Sequence, residues 1–378
     1  MKRYYSIACC AICFAALVGC GGHRGTDREM SLSFQEQAPC LIPLDSLTSQ
    51  ETDYLQLVSD SVLAFFNRPT YHICFYNFNN GRTDKIKIYQ EGPNALNGID
   101  AFCYVSPDSI WLYESWGNMI TRIDSIGEIK EKHELSTYKN SAGDNLQYAV
   151  SPLASVATPY VIKNGMHFLL GTNGTPSEGQ IPGVTMIYDE NKSDWRTCNP
   201  YPAIYGKPED IMDWDFNYRC ASFTMSPDNK IVINFAAADS LYVYDPETDK
   251  TEAYYAGFSE PTNIRRRSNQ QSYESLLREG LERHYYIVIR YDKYNELYYR
   301  IILLPKTDYD DKDLQNELGK KPGAVIILDK DFNKVGESLL PEDQFYEGVS
   351  FVNQNGLNIR AESDDDDFMK FRVFKAVE

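Results

Sequence analysis

Three kinds of residue grouping in this chain have the composition for chemistry. The triplet Asp-Ser-apolar occurs at Asp45-Ser46-Leu47, Asp60-Ser61-Val62, Asp108-Ser109-Ile110, Asp124-Ser125-Ile126 and Asp239-Ser240-Leu241. Acids crowd at Asp308, Asp310, Asp311 and Asp313, at Asp364–Asp367, and at Asp329, Asp331 and Asn333, which alternate as oxygen ligands of a cation would. Histidines stand at His23, His72, His133, His167 and His284.

None of these completes a catalytic or metal motif. An EF-hand loop needs Gly at its sixth place and an acid at its twelfth. Counted from Asp329 those places hold Lys334 and Leu340, and from Asp308 they hold Asp313 and Gly319. Ca²⁺ is the one cation these clusters suggest, and no cofactor is expected. No two histidines have ligand spacing; His72 and His167 begin or interrupt apolar runs and read as strand residues. The chain lacks G-x-S-x-G, H-E-x-x-H, Walker and G-x-G-x-x-G patterns, and its Ser136-Thr137-Tyr138-Lys139 has no companion motif. No catalytic residue is assigned. Asp364–Asp367 reads as a solvated turn that blunts a sheet edge.

Of nine cysteines, Cys9, Cys10, Cys13 and Cys20 lie in the leader or at its end. The other five, Cys40, Cys74, Cys103, Cys198 and Cys220, cannot all pair and have no metal spacing. Cys74 and Cys103 read as buried hydrophobes. A Cys198–Cys220 disulfide is the pairing considered for an oxidising compartment.

Lys2 and Arg3 followed by the apolar run Ile7–Val18 form an export leader too short to span a bilayer. Its end, Leu17-Val18-Gly19-Cys20, resembles a bacterial lipobox, which implies cleavage after residue 19 and acylation of Cys20. Several acyl chains on one cysteine anchor stably. Residues 20–37 read as a flexible tether and 38–378 as a single domain. The residues after Cys20 are Gly, Gly, His and Arg rather than acids, which favours the periplasmic side of an outer membrane over the cell surface. Loss of Lys2 and Arg3 takes the formal charge from −17 to −19, which argues against nucleic acid or anionic lipid surfaces as partners. The cluster Arg265-Arg266-Arg267 reads as a solvated loop.

The elements that would hold these residues are strands. The chain has 28 Tyr and 18 Phe, with Ile and Val in short runs. Residues 106–129, "SPDSIWLYESWGNMITRIDSIGEI", and 226–249, "SPDNKIVINFAAADSLYVYDPETD", share a Ser-Pro-Asp turn, an apolar run, a connector and a second run ending in Asp. Runs that end alike put markers at Asn77, Asp124, Asp189, Asp245, Asp329 and Phe374, spaced 47, 65, 56, 84 and 45 residues. The shortest spacings fit one four-stranded propeller blade. The expected fold is all-β, a β-propeller of six blades, with seven blades or paired sandwiches as alternatives. One helix is expected near 268–283, capped by Ser268, and residues 38–45 are expected to pair beside the C-terminal strand and close the ring.

The stretch "YQEGPNALNGIDAFCYVSPDSIWLYESWGNMITRIDSIGEI" resembles a repeat of six-bladed propeller lipoproteins of Bacteroidetes, in the family called domain of unknown function 4221. These motifs are turns and strands, so the resemblance implies a fold and no catalytic residues. The Asp-Ser-apolar triplet also resembles the acceptor of the general O-glycosylation system of Bacteroidetes, which implies Ser46, Ser61, Ser109, Ser125 and Ser240 as acceptors. The same triplet is ordinary turn chemistry before a strand. Two functions follow as expectations. The first is an anchored propeller that binds a protein or glycan partner at one mouth of its channel. The alternative is a hydrolase or lyase, glycosidase- or lactonase-like, with acids from several blades converging in the channel. Two carboxylates within about 10 Å with a His or Arg would mark the enzyme, and a lining of Tyr and backbone the binder.

Overall fold

The computed structural model describes residues 30–52, 54–96, 98–115, 117–135, 151–172, 183–266, 272–341 and 345–378. The leader, Cys20, Trp116, the tetrad 136–139, the loop 173–182, Arg267 and Ser268 lie outside them.

Six antiparallel sheets follow one another along the chain, each a propeller blade. A short strand, β1 (Ser33–Glu36), and β2 (Cys40–Pro43) come first. Blade 1 is β3 (Leu55–Ser59), β4 (Val62–Asn67), β5 (His72–Asn77) and β6 (Arg82–Lys87). Blade 2 is β7 (Ile99–Ser106), β8 (Ser109–Glu114), β9 (Met119–Ile123) and β10 (Ile129–Glu134). In blade 3, β11 (Ser151–Pro152) and β12 (Val161–Lys163) share the inner edge of β13 (Met166–Thr172), with β14 (Gly183–Asp189) and β15 (Asp194–Pro200) outside. Blade 4 is β16 (Ala221–Met225), β17 (Ile231–Phe235), β18 (Ser240–Asp245) and β19 (Lys250–Tyr255). Blade 5 is β20 (Tyr285–Asp292), β21 (Leu297–Leu303), β22 (Gly323–Leu328) and β23 (Lys334–Leu339). Blade 6 is β24 (Phe345–Asn353), β25 (Gly356–Ala361) and β26 (Phe368–Val377), completed by β1 and β2. The inner strands meet one another in a ring around the axis.

The repeat has a physical cause in its third strands. Five of the six markers, Asn77, Asp124, Asp189, Asp245 and Asp329, end or directly follow one. Each side-chain Oδ1 accepts the N–H two residues on, at 2.9–3.1 Å, which folds the turn to the outer strand. Phe374 lies inside β26, whose outer neighbours are β1 and β2 from the other end of the domain rather than a strand reached by such a turn.

The expected closure is present. Cys40 pairs with Phe371 and Ile42 with Met369, and β1 extends the same edge from Ser33 opposite Val377 to Glu36 opposite Phe374. Residues 33–36, read from composition as part of the segment 20–37, form this edge strand. "SFQE" has the alternation of an edge strand, and Arg372 holds Glu36 with Nη2–Oε2 at 2.6 Å. Gly336 lets this segment cross blade 5, since a Cβ there would stand 2.2 Å from the Leu32 carbonyl oxygen.

Neighbouring blades bury each other's faces, so whole runs are apolar rather than alternating. β17, β21 and β22 are buried at every residue. One cluster joins blades 1, 2 and 3 through Ile73, Phe102 and Tyr188; another joins blades 6 and 1 through Phe371 and Phe65. The expected helix is α2 (Tyr273–Glu282), capped by Ser272 rather than Ser268: the Ser272 Oγ accepts the Ser275 N–H. Two shorter helices, α1 (Phe216–Arg219) and α3 (Leu314–Leu318), have too few residues to show a helical period.

The connections divide sharply between the two faces. The first-to-second turns of all six blades and the third-to-fourth turns of blades 1 to 5 run two to five residues. The blade-to-blade and second-to-third connections open on the other face, and they carry α1, α2, α3 and the long segments 201–220, 256–284 and 304–322. One face is thus plain and the other elaborated.

A cavity at the elaborated mouth of the axis

Breaks in the inner strands build the site. In blade 2 the pairing skips from Ile99 opposite Glu114 to Ala101 opposite Tyr113, leaving Asp100 as an extra residue. In blade 5 it skips from Tyr286 to Val288 and leaves Ile287; in blade 6 it skips from Tyr346 to Ser350 and leaves Glu347, Gly348 and Val349. In blade 3 the inner edge is interrupted outright between β11 and β12, and residues 153–160 leave the sheet. Bulges re-aim side chains locally. Here they open a cavity of about 530 Å³ lined by Asp100, Ile287, Gly348, Leu153, Ala154, Ser155, Ala157 and Thr158. Phe216 and Asn217 of α1, with Cys220, Ala221, Ala236, Tyr285 and Tyr286, complete the wall. Phe216 is 51% exposed at the lip.

The lining is mainly apolar, with Asp100 its one carboxylate and no histidine. Asp100 Oδ2 accepts the Ser115 N–H at 2.8 Å. Burial pushes the Cys220 thiol up to about 11, away from the thiolate that nucleophilic chemistry uses. Burial also raises Tyr285 and Tyr286, which stay neutral phenols.

Below the cavity the axis is plugged. Arg290 of blade 5, buried, donates from Nη2 to the carbonyls of Val156 at 2.8 Å and Gly348 at 3.2 Å, and from Nε to that of Ser350 at 3.0 Å. It has no carboxylate partner among the described residues, and burial lowers it to about 9. Beside it the Tyr54 Oη accepts the Tyr160 N–H at 2.7 Å, tying blade 1 to blade 3. On the plain face, Lys293 Nζ and Tyr294 Oη both reach Asp60 Oδ1, at 2.5 and 2.8 Å.

The residues singled out from sequence are scattered over this scaffold, and of the named candidates only Cys220 reaches the cavity. Cys198 and Cys220 are free thiols. The disulfide is absent because Cys198 sits on the outer strand of blade 3 and Cys220 at the inner strand of blade 4. Ser61, Ser109 and Ser125 lie at plain-face turns, Ser46 and Ser240 on elaborated-face connections, and none is buried. Asp329 folds its own turn, Asp311 pairs with Arg278, and no group of three or more His, Cys, Asp or Glu forms a metal site among the described residues. Arg266 bonds Asp210 at 3.1 Å. His167 is fully buried and held between Tyr160 Oη at 2.6 Å and Glu190 Oε2 at 3.1 Å; burial lowers its pKa, so the ring is neutral. The cavity-forming bulges had no sequence signal to find: Asp100 and Ile287 sit within ordinary strand runs.

A family model described as "Domain of unknown function (DUF4221)" matches residues 31–339. The crystal structure of a member of that family from Bacteroides vulgatus ATCC 8482 is similar at 20% identity and a TM-score of 0.77, covering 93% of this chain and 100% of that one. A protein of Bacteroides fragilis NCTC 9343 is similar at 9% identity and a TM-score of 0.56, covering 94% and 98%. Both likenesses concern the fold. No curated protein matches the sequence.

Proposed function

The chain belongs to the family of domain of unknown function 4221, and from the geometry of the axial mouth we propose that it is a lipid-anchored, extracytoplasmic binding protein whose cavity takes a small, largely apolar ligand. The observation that carries this reading is the lining: one carboxylate, no histidine, aromatic and small apolar walls, and a volume within the ordinary range of small-molecule sites. A glycosidase- or lactonase-like reaction needs a second acid or a base beside Asp100, and the lining offers neither. Glu114, the acid paired one residue away, is buried and is not part of the wall.

The path of the chain supports the anchored half of the proposal. Ser33 pairs with Val377, at the plain-face end of β26. A tether from Cys20 to Leu32 spans at most about 40 Å. An acylated Cys20 then holds the plain face toward the membrane and leaves the cavity facing away from it. Metabolic labelling with an alkyne palmitate tests the anchor, with wild type labelled and Cys20→Ser not.

Binding is tested by titrating the folded protein with 1-anilinonaphthalene-8-sulfonate, an aromatic anion whose fluorescence rises in apolar surroundings. Saturable fluorescence is expected, weakened at least tenfold by Asn217→Trp, which fills the lip from an exposed position. Equal binding to wild type and Asn217→Trp contradicts the assignment of the cavity.

A further inference from the structure

We propose that the elaborated face carries a second site, separate from the axial cavity, in the basin where blade 6 meets blade 1, and that this basin binds a neutral saccharide. It encloses about 730 Å³ between the connection 44–54 and the connection 362–367. The same bulge that puts Gly348 on the axial wall leaves Tyr346 beside the basin, 45% exposed. The Arg360 guanidinium carbon lies 5.8 Å from the centre of the Tyr346 ring. An exposed phenol ring fixed this way is a flat apolar surface for the C–H face of a sugar.

Around the ring stand groups that match hydroxyls. A sugar hydroxyl both donates and accepts. Glu51, Glu362 and Asp366 supply carboxylate acceptors. Arg360 supplies a donor in reserve. It is 6% exposed, Nη1 serves the carbonyls of Ala361 and Lys370, and Nη2 serves the carbonyl and Oε1 of Gln50. Its Nε–H has no hydrogen-bond partner among the described residues and keeps solvent access, so it is open to a ligand. Gln50 fastens the two connections together, donating from Nε2 to the Asp365 carbonyl at 2.9 Å and to Asp366 Oδ1 at 3.2 Å. The basin is therefore formed before a ligand arrives.

Charge selects among sugars. Three carboxylates face one guanidinium, so a phosphate or uronate is repelled and an uncharged ring is not. Saturation-transfer NMR with maltose, cellobiose, lactose and N,N′-diacetylchitobiose tests this, with galacturonic acid as the anionic comparison, each at about 10 mM to detect affinities near the millimolar range. At least one neutral disaccharide is expected to give a signal that Tyr346→Ala weakens at least tenfold and Tyr346→Phe preserves. Asn217→Trp, which fills the axial lip, leaves that signal unchanged. Tyr346 is exposed, so both substitutions keep the fold, which circular dichroism verifies. Absence of signal from all four neutral sugars, signal that survives Tyr346→Ala, or signal from galacturonic acid alone overturns the proposal.

Discussion

Arg290 reaches Val156 across the axis, Nη2 to carbonyl oxygen at 2.8 Å. The two residues belong to blade 5 and to the entrance of blade 3, and the same guanidinium holds Gly348 and Ser350 of blade 6. Blades 3 and 6 stand opposite each other in a ring of six, so one side chain locks the ring across its diameter. It does so with carbonyl oxygens alone, which accounts for a buried cation with no counter-charge. Arg290→Met strands those carbonyls and is expected to lower stability by about 2–4 kcal/mol in urea unfolding. Arg290→Lys recovers little, because one ammonium cannot reproduce the planar fork.

Stability should vary with pH through two buried groups near the axial cavity. Burial raises Glu347 from 4.5 to about 7, and lowers Lys321 from 10.5 to about 7 while its Nζ holds the carbonyls of Gly280, Leu281 and Arg283. A raised carboxyl keeps a proton the unfolded chain has lost, so its contribution is full below pH 4.5 and disappears as pH rises through 7. A lowered ammonium does the reverse: its contribution is full above pH 10.5 and is lost as pH falls through 7. In urea unfolding across this range, Glu347→Gln flattens the falling limb on the acid side and Lys321→Met the rising limb on the alkaline side.

Closure of the ring depends on β2. Ile42 is fully buried against the cluster that joins blades 6 and 1. Ile42→Ala is expected to cost about 2–5 kcal/mol. Leu41→Ala, one residue away and 45% exposed, is expected to stay within about 0.5 kcal/mol. Equal losses in thermal unfolding would mean that β2 does not fasten the ring.

The Asx turns make a finer prediction. Asp245 Oδ1 accepts the N–H groups of Glu247 and Thr248. Asp245→Ala removes both bonds and is expected to cost about 1 kcal/mol, whereas Asp245→Asn keeps the acceptor and most of the stability. Chemical denaturation of the two variants separates the turn from the charge.

The fold was legible for the reason these predictions work. The third strands of blades 1 to 5 end at a side chain that accepts its own turn, so Asn77, Asp124, Asp189, Asp245 and Asp329 repeat even where the connections between them differ in length. Residues 38–45 were readable as the closing strand because an apolar run ahead of the first blade needs an edge to pair with. The cavity was not legible. It arises where Asp100, Ile287 and Glu347–Val349 slip the register of inner strands, and a slip of one to three residues leaves composition almost unchanged. Tyr346 and Arg360 were hidden likewise, since their proximity joins strands within blade 6 to a connection more than 300 residues away at Gln50.

The central claim is that the axial cavity holds a small ligand. Native mass spectrometry of the protein isolated gently from its native host is the sharpest test, comparing wild type with Asn217→Trp. A small-molecule adduct is expected on wild type and not on the variant, with both proteins folded. An adduct of equal occupancy on both, or wild type bare while the probe titration also fails, would contradict it.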